Sequence, residues 1–180
     1  MPFDVNSATS NEFRLNLRSQ STTNLSEEEA QTMLEKHGFF ASHWHRDGNG
    51  SIHLYEQHLR KGIVIDHTTG LMWQQSGSSH SMTYAKAEKY IYDLNAKCFA
   101  NYNNWRLPTL EEAMSLMEPA KYGDLYLESS FDQTIRWIWT GDKFGAEQAW
   151  VVVFDYGLCY HTSVDSRYSV RAVRSEHSII

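Results

Sequence analysis

The alternation of apolar and polar positions divides the chain into short elements. Phe13, Leu15 and Leu17 alternate with Arg14, Asn16 and Arg18, the period of a half-buried strand. From Ser26 the period lengthens. Ala30, Met33, Leu34 and His37 follow helical spacing, Ser26 with Glu29 forms a capping box, and Gly38 suits the residue after a helix. The turn residues Asp47-Gly48-Asn49-Gly50, with Trp44 before them and Ile52, Leu54 and Tyr55 after, predict a hairpin. Residues 62–66 and 71–73 read as strands around the turn His67-Thr68-Thr69-Gly70. Thr83 is placed to cap a helix running to about Lys97, with Ala87, Tyr90, Ile91 and Leu94 on one face.

The middle of the chain turns on Asn104-Trp105-Arg106-Leu107-Pro108-Thr109. Pro108 fixes its own φ and keeps Leu107 out of the helical region, and Thr109 with Glu112 makes a second capping box. The helix from Leu110 is expected to end near Met117, stopped by Pro119, and residues 120–134 read as an irregular connection. Beyond them the pattern is β: residues 137–140, the strongly β segment 149–154, a tight turn at Asp155-Tyr156-Gly157, a return over 158–162, and residues 168–174 closing the sheet. Strands and helices followed by a β-rich end make an α+β fold, not an alternating βαβ one. Residues 1–61 form an N-terminal extension of leader, strand, helix and hairpin, packed on a main body of residues 62–176.

Composition adds limits. Of 180 residues 41% are hydrophobic, with six Trp, ten Tyr and eight Phe, and every Trp but Trp44 lies from residue 73 onward, so the core is expected there. The formal charge is −6 with no long basic run, which argues against nucleic acid and anionic membrane as partners. No apolar stretch approaches the ~20 residues of a membrane span, and Met1-Pro2-Phe3-Asp4 opens no signal peptide, so a cytoplasmic location is expected. Cys98 and Cys159 have no CxxC spacing and read as two reduced, mostly buried thiols.

Several ordered markers resemble one family. They are Asp66-x-x-x-Gly70-Leu71-Met72-Trp73-Gln74, Ala87 through Leu94-Asn95, Asn104-Trp105-Arg106-Leu107-Pro108-Thr109, Trp137-x-Trp139-Thr140, Ala149-Trp150-x-Val152-x-Phe154, and Val170-Arg171-Ala172-Val173-Arg174. Over residues 62–175 the chain resembles the Lcl C-terminal domain family. The resemblance implies a C-type-lectin-like fold, with two helices packed on a twisted, mostly antiparallel sheet and long loops on one face. It further implies likeness to the variable ligand-binding proteins of diversity-generating retroelements. Members of the collagen-like adhesin type are thought to bind sulfated polysaccharides. The Glu-Pro-Asn, Gln-Pro-Asp and Trp-Asn-Asp triplets that hold sugar-binding calcium in true lectins are absent, and Asn103-Asn104-Trp105 has the wrong order to replace them. Calcium-dependent sugar binding is therefore not expected.

The candidate ligand-binding residues are Asp155, Tyr156, Tyr160, His161, Ser163, Asp165 and Arg167, with Trp139 as their neighbour. Tyr gives contact area at little entropy cost and short polar groups adapt their hydrogen bonds, so this mixture suits recognition. A non-enzymatic module binding a protein or glycan through residues 155–168 is the first reading. One alternative is an enzyme of the formylglycine-generating or thiol type, in which Cys159 and His161 share a strand face. Another is an effector-partner scaffold acting through residues 1–60. No cofactor is expected and no metal: residues 45–56 resemble a calcium loop with Asp47, Asn49, Gly50 and Glu56 in place, but its first position holds His45. His43, His45 and His53 are read as scattered surface histidines. Trp73, Trp105, Trp137 and Trp150 are assigned to the core, and Arg171 and Arg174 are expected to be solvated or ion-paired.

Overall fold

The computed structural model describes residues 14–176. Phe13, the first residue of the expected N-terminal strand, lies outside them. The rest of that segment forms no strand: a backbone bond from Leu15 N–H to Thr68 O, 2.9 Å, ties it to the body without a ladder. Side chains strap it down instead. Leu15 and Leu17 pack against the core, and Arg18 places both terminal nitrogens on the fully buried Asp142 carboxylate at 2.8 and 2.7 Å.

Helix α1, Glu27–His37, is built as its sequence dictates. Ser26 Oγ accepts from Glu29 N–H at 3.1 Å, Ser26 N–H donates to Glu29 Oε2 at 2.8 Å, and Gly38 follows at φ 68°. Its buried Ala30 and Leu34 join Leu25, Phe39, Phe40 and Ala41 in one cluster with Trp73, Trp150, Val152 and Phe154. The core is thus not confined to residue 73 onward: the N-terminal segment supplies part of it.

The hairpin expected at residues 47–50 does not form. A single bridge joins Ala41 to His45, and the chain then runs extended to strand β1, Tyr55–His58. That strand pairs antiparallel with β2, Ile63–Asp66, which pairs with β3, Leu71–Gln74. The late strand β9, Val173–Ser175, closes on β3, giving the sheet order β1-β2-β3-β9. Helix α2, Tyr84–Ala96, starts after Thr83 as expected, but the Thr83 side chain makes no capping hydrogen bond. Helix α3, Leu110–Ser115, is capped by Thr109 and Glu112.

Pro119 does not end that helix. It sits inside β4, Met117–Tyr122, which pairs with β5, Leu125–Leu127, where an irregular connection was expected. A two-stranded ribbon with shifted register tolerates a residue lacking N–H. A three-stranded antiparallel sheet follows: β6, Trp137–Lys143, β7, Gln148–Val153, and β8, Leu158–Ser163. The backbone of residues 168–172 joins it at the Ile138–Ser169 bridge before the chain enters β9. Three helices and antiparallel sheets make the fold α+β.

Candidate recognition surface

The β6-β7-β8 sheet sorts the candidate residues by strand period, since successive side chains point to opposite faces. Register places Trp137, Val153 and Leu158 in one row and Trp139, Val151 and Tyr160 in the next, all on one face. Trp139 is fully buried there: Tyr84 at the start of α2 meets its ring edge-on at 5.4 Å, Tyr168 at 5.0 Å, and its indole N–H donates to Met82 O at 2.8 Å. It therefore supports the surface and is not part of it. Trp137, on the same face one row further, lies beyond the cover of Tyr84 and Tyr168 and is 37% exposed. The core assignment holds for Trp73, Trp105 and Trp150 and fails for Trp137. The residue missed by sequence reasoning is this one, because strand period gives the face and not what covers it.

Tyr160 stands beside this row, 38% exposed, with its hydroxyl bonded to that of Tyr168. Arg167 is exposed and its Nη2 donates to Ser81 O at 2.9 Å. Asp165 and Ser163 are exposed at the strand end, where Asp165 N–H donates to Ser163 Oγ at 3.2 Å. Tyr156, 70% exposed, and the half-buried Asp155 occupy the β7–β8 turn, at the same sheet end as Trp137. Gly157 sets that turn at φ 67°, and a Cβ there would come within 2.9 Å of Tyr126 and 3.0 Å of Phe40. Ser42 ties the turn to the N-terminal segment through Gly157 O, 2.7 Å, and Tyr156 O, 2.8 Å.

His161 belongs elsewhere. It points to the opposite face with Cys159, stacks on Phe144 at 3.9 Å and 4°, bonds Gln148 through Nδ1 and reaches Glu27 Oε1 at 3.0 Å. The eight candidates therefore do not converge on one surface. Tyr160 and His161, adjacent in sequence, serve opposite sides of the sheet. Cys159 and His161 do share a face, but burial pushes the Cys159 thiol up to about 12, away from thiolate. The cysteines are both unpaired: Cys159 is buried, and Cys98 is exposed against expectation.

The calcium-like segment is committed to other bonds. His45 Nδ1 is 2.6 Å from Phe39 O, and the Glu56 carboxylate holds His58 at 2.8 Å and His67 at 2.7 Å. Among the described residues no three His, Cys, Asp or Glu side chains gather as a metal site. Nor is any helix among them long and apolar enough to cross a membrane. His53 is not a surface histidine. Its Nδ1 meets Asp66 Oδ2 and its Nε2 meets Ser115 O, both at 2.7 Å. Carboxylate and carbonyl only accept, so both ring nitrogens must donate and the ring is an imidazolium. Burial alone would lower its pKa, but the hydrogen bond and ion pair with Asp66 and the Ser115 carbonyl outweigh burial and raise it.

The markers that stood out in the sequence now have positions. Asp66 is fully buried and also accepts from Thr68 N–H, 3.1 Å, and Thr69 Oγ1, 2.6 Å. The Asn95 amide pairs with the Trp105 backbone at 2.8 and 2.9 Å. Arg106 grips Glu112 bidentately at 2.7 Å on both arms. A family model of the Lcl C-terminal domain matches residues 62–174, more than half of the chain. The chain belongs to the Lcl C-terminal domain family. Among curated proteins no match is found.

Within this Lcl C-terminal domain most of the markers are framework. Arg171 is fully buried, not solvated: Nε donates to Ser76 O at 3.1 Å, Nη2 to Asp132 O at 3.0 Å, and the group lies 5.1 Å over Phe131, with burial lowering its pKa to about 10. Arg174, 5% exposed, bonds Asn104 Oδ1 at 2.7 Å and lies 3.8 Å over Tyr102. These guanidiniums find backbone carbonyls, an amide and rings where water or an ion pair was expected. Among the tryptophans in the markers, Trp137 is the one left facing solvent.

Proposed function

We propose that this domain is a non-enzymatic recognition module that binds a protein or glycan, without calcium, through the β6–β8 face carrying Trp137, Tyr160, Tyr168 and Arg167. One observation carries it: Trp137 and Tyr160 stand exposed in adjoining rows of a rigid sheet, beyond the point where Tyr84 and Tyr168 cover Trp139. Exposed aromatics on a fixed scaffold supply contact area at low entropy cost. Membership of the Lcl C-terminal domain family points the same way. Tyr156, Asp155, Ser163 and Asp165 flank the face, and His161 is left to the scaffold.

The fold is read as C-type-lectin-like. Support comes from the helices set beside antiparallel sheets and from the long connections between β5 and β6 and between β8 and β9. A diversified segment would act on the same face, because the framework markers are mostly buried and leave positions between them exposed. The thiol-enzyme alternative has a weak basis: Cys159 is sealed from solvent and its thiol is pushed up, not down.

A mixed glycan and protein array, probed with the protein in calcium and in EDTA, tests the reading. The expected result is a ligand that survives EDTA and loses binding at least about tenfold with Trp137→Ala/Tyr160→Ala, the folded state intact. Undiminished binding by the folded double variant, or binding lost in EDTA, would overturn it.

A further inference from the structure

The segment between the N-terminal turns and β1 is built inside out. Residues 51–55 alternate, with Ser51, His53 and Tyr55 turned toward the body and Ile52 and Leu54 toward water. In a half-buried extended segment the apolar residues normally face inward. Here the inward position holds an imidazolium, while Ile52 is 93% exposed and Leu54 61%. The register cannot slip, because several bonds fix it. His53 is held by Asp66 and Ser115 O, Gly50 N–H donates to Gly38 O at 3.0 Å, and Leu54 N–H donates to Thr68 Oγ1 at 3.0 Å. Two aliphatic side chains are thus held out in water by a buried ion pair. Such a feature costs solubility and calls for an occupant.

The adjoining surface describes that occupant. A cleft of about 490 Å³ lies between this segment and the β4–β5 ribbon, lined on the apolar side by Ile52, Leu54, Tyr55 and Tyr122 and on the charged side by Glu118 and Glu128. Glu118 has no hydrogen bond or ion pair among the described residues. Burial raises its pKa, with Glu128 adding to the rise and His53 opposing it. No Lys or Arg lines the cleft, and the nearby His53 charge is already spent on Asp66. The Tyr55 hydroxyl, sealed from solvent, also lacks a partner. The Glu128 carboxylate accepts from Ser130 N–H at 2.7 Å and Ser129 Oγ at 3.1 Å, which hold it ionised but bring no positive charge. Apolar contacts beside two carboxylates with no cation of their own fit a cation carried between aliphatic groups. A second copy of the chain is a poor fit, since each copy carries −6.

We propose that this cleft is a second interaction surface, separate from the β6–β8 face, that docks a basic segment of a protein partner by taking a Lys or Arg side chain against Glu118 and Glu128 and its aliphatic neighbours against Ile52, Leu54 and Tyr122. The 180-residue chain would be titrated with short synthetic peptides carrying Lys or Arg between Leu residues. Matched peptides would replace the basic residue by Glu or the Leu residues by Ser. The basic, aliphatic peptides bind and shift amide NMR signals at residues 49–55, 118 and 128, and raised salt weakens them. Ile52→Ser and Glu118→Gln/Glu128→Gln each weaken binding at least about tenfold, while Trp137→Ala leaves it unchanged. Absent binding, equal binding by the Glu-for-Lys peptides, or shifts centred on Trp137 and Tyr160 would overturn the proposal. So would self-association that Ile52→Ser abolishes, since the occupant would then be a second copy.

Discussion

Two surfaces of this protein leave large apolar side chains in water, and they are made in opposite ways. On the β6–β8 face the sheet is regular, and exposure arises where cover stops: Trp139 lies under Tyr84 and Tyr168, and Trp137 two residues earlier does not. On the 51–55 segment the backbone pairs with little, and exposure is enforced by a charge underneath, His53 on Asp66. The first kind of surface needs only a scaffold that ends. The second needs a buried ion pair whose loss would free the segment to turn over. They therefore respond to different perturbations.

The sharpest separation is between framework and surface. Asp66→Ala leaves the buried imidazolium unpaired and is expected to cost about 3–5 kcal/mol in urea denaturation, with the 51–55 segment losing its order. Trp139→Ala is expected to cost a similar ~3–5 kcal/mol by opening a cavity under Tyr84, whereas Trp137→Ala costs under ~1 kcal/mol. Equal costs for the two tryptophans would erase the contrast between covered and uncovered rows.

A smaller effect comes with pH. The His53 pKa is raised above 6.5, so the native state holds its proton more tightly than the unfolded chain. That contribution is complete below about pH 6.5 and is lost as pH rises through the raised value. Glu118, also raised, pulls the same way, so the slope is best read in a Glu118→Gln background. Urea midpoints that rise with pH in that window would contradict the imidazolium. Ile52→Ser is expected to change stability least, within about 0.5 kcal/mol, because the side chain is 93% exposed. A large loss would mean that Ile52 packs in solution.

What the sequence disclosed follows from what local pattern encodes. The capping boxes at Ser26 and Thr109 and the β2–β3 hairpin are written in a few adjacent residues, and each is where its signal places it. The strong β segment before Asp155 behaves the same way, since β-branched runs specify buried strands. Failures fall where distant partners decide. Asp47-Gly48-Asn49-Gly50 is a good turn signal, but no strand pairs across it, because His53 is drawn to Asp66 and Gly50 to Gly38. Pro119 reads as a stop and lies in a ribbon whose shifted register accommodates it. Arg171 alternates like an exposed residue, yet its guanidinium is met by Ser76 and Asp132 carbonyls far along the chain. Strand period separates Tyr160 from His161, a signal present in the sequence, although the expected surface joined the two. The exposure of Trp137 was not legible there, because it depends on where Tyr84 and Tyr168 end their cover.

The most direct measurement is an indole N–H NMR titration of the protein with the ligand found on the array. The account predicts that the Trp137 signal moves to saturation with the binding curve while those of Trp73, Trp105 and Trp150 stay in place. Full binding with an unmoved Trp137 signal would contradict it.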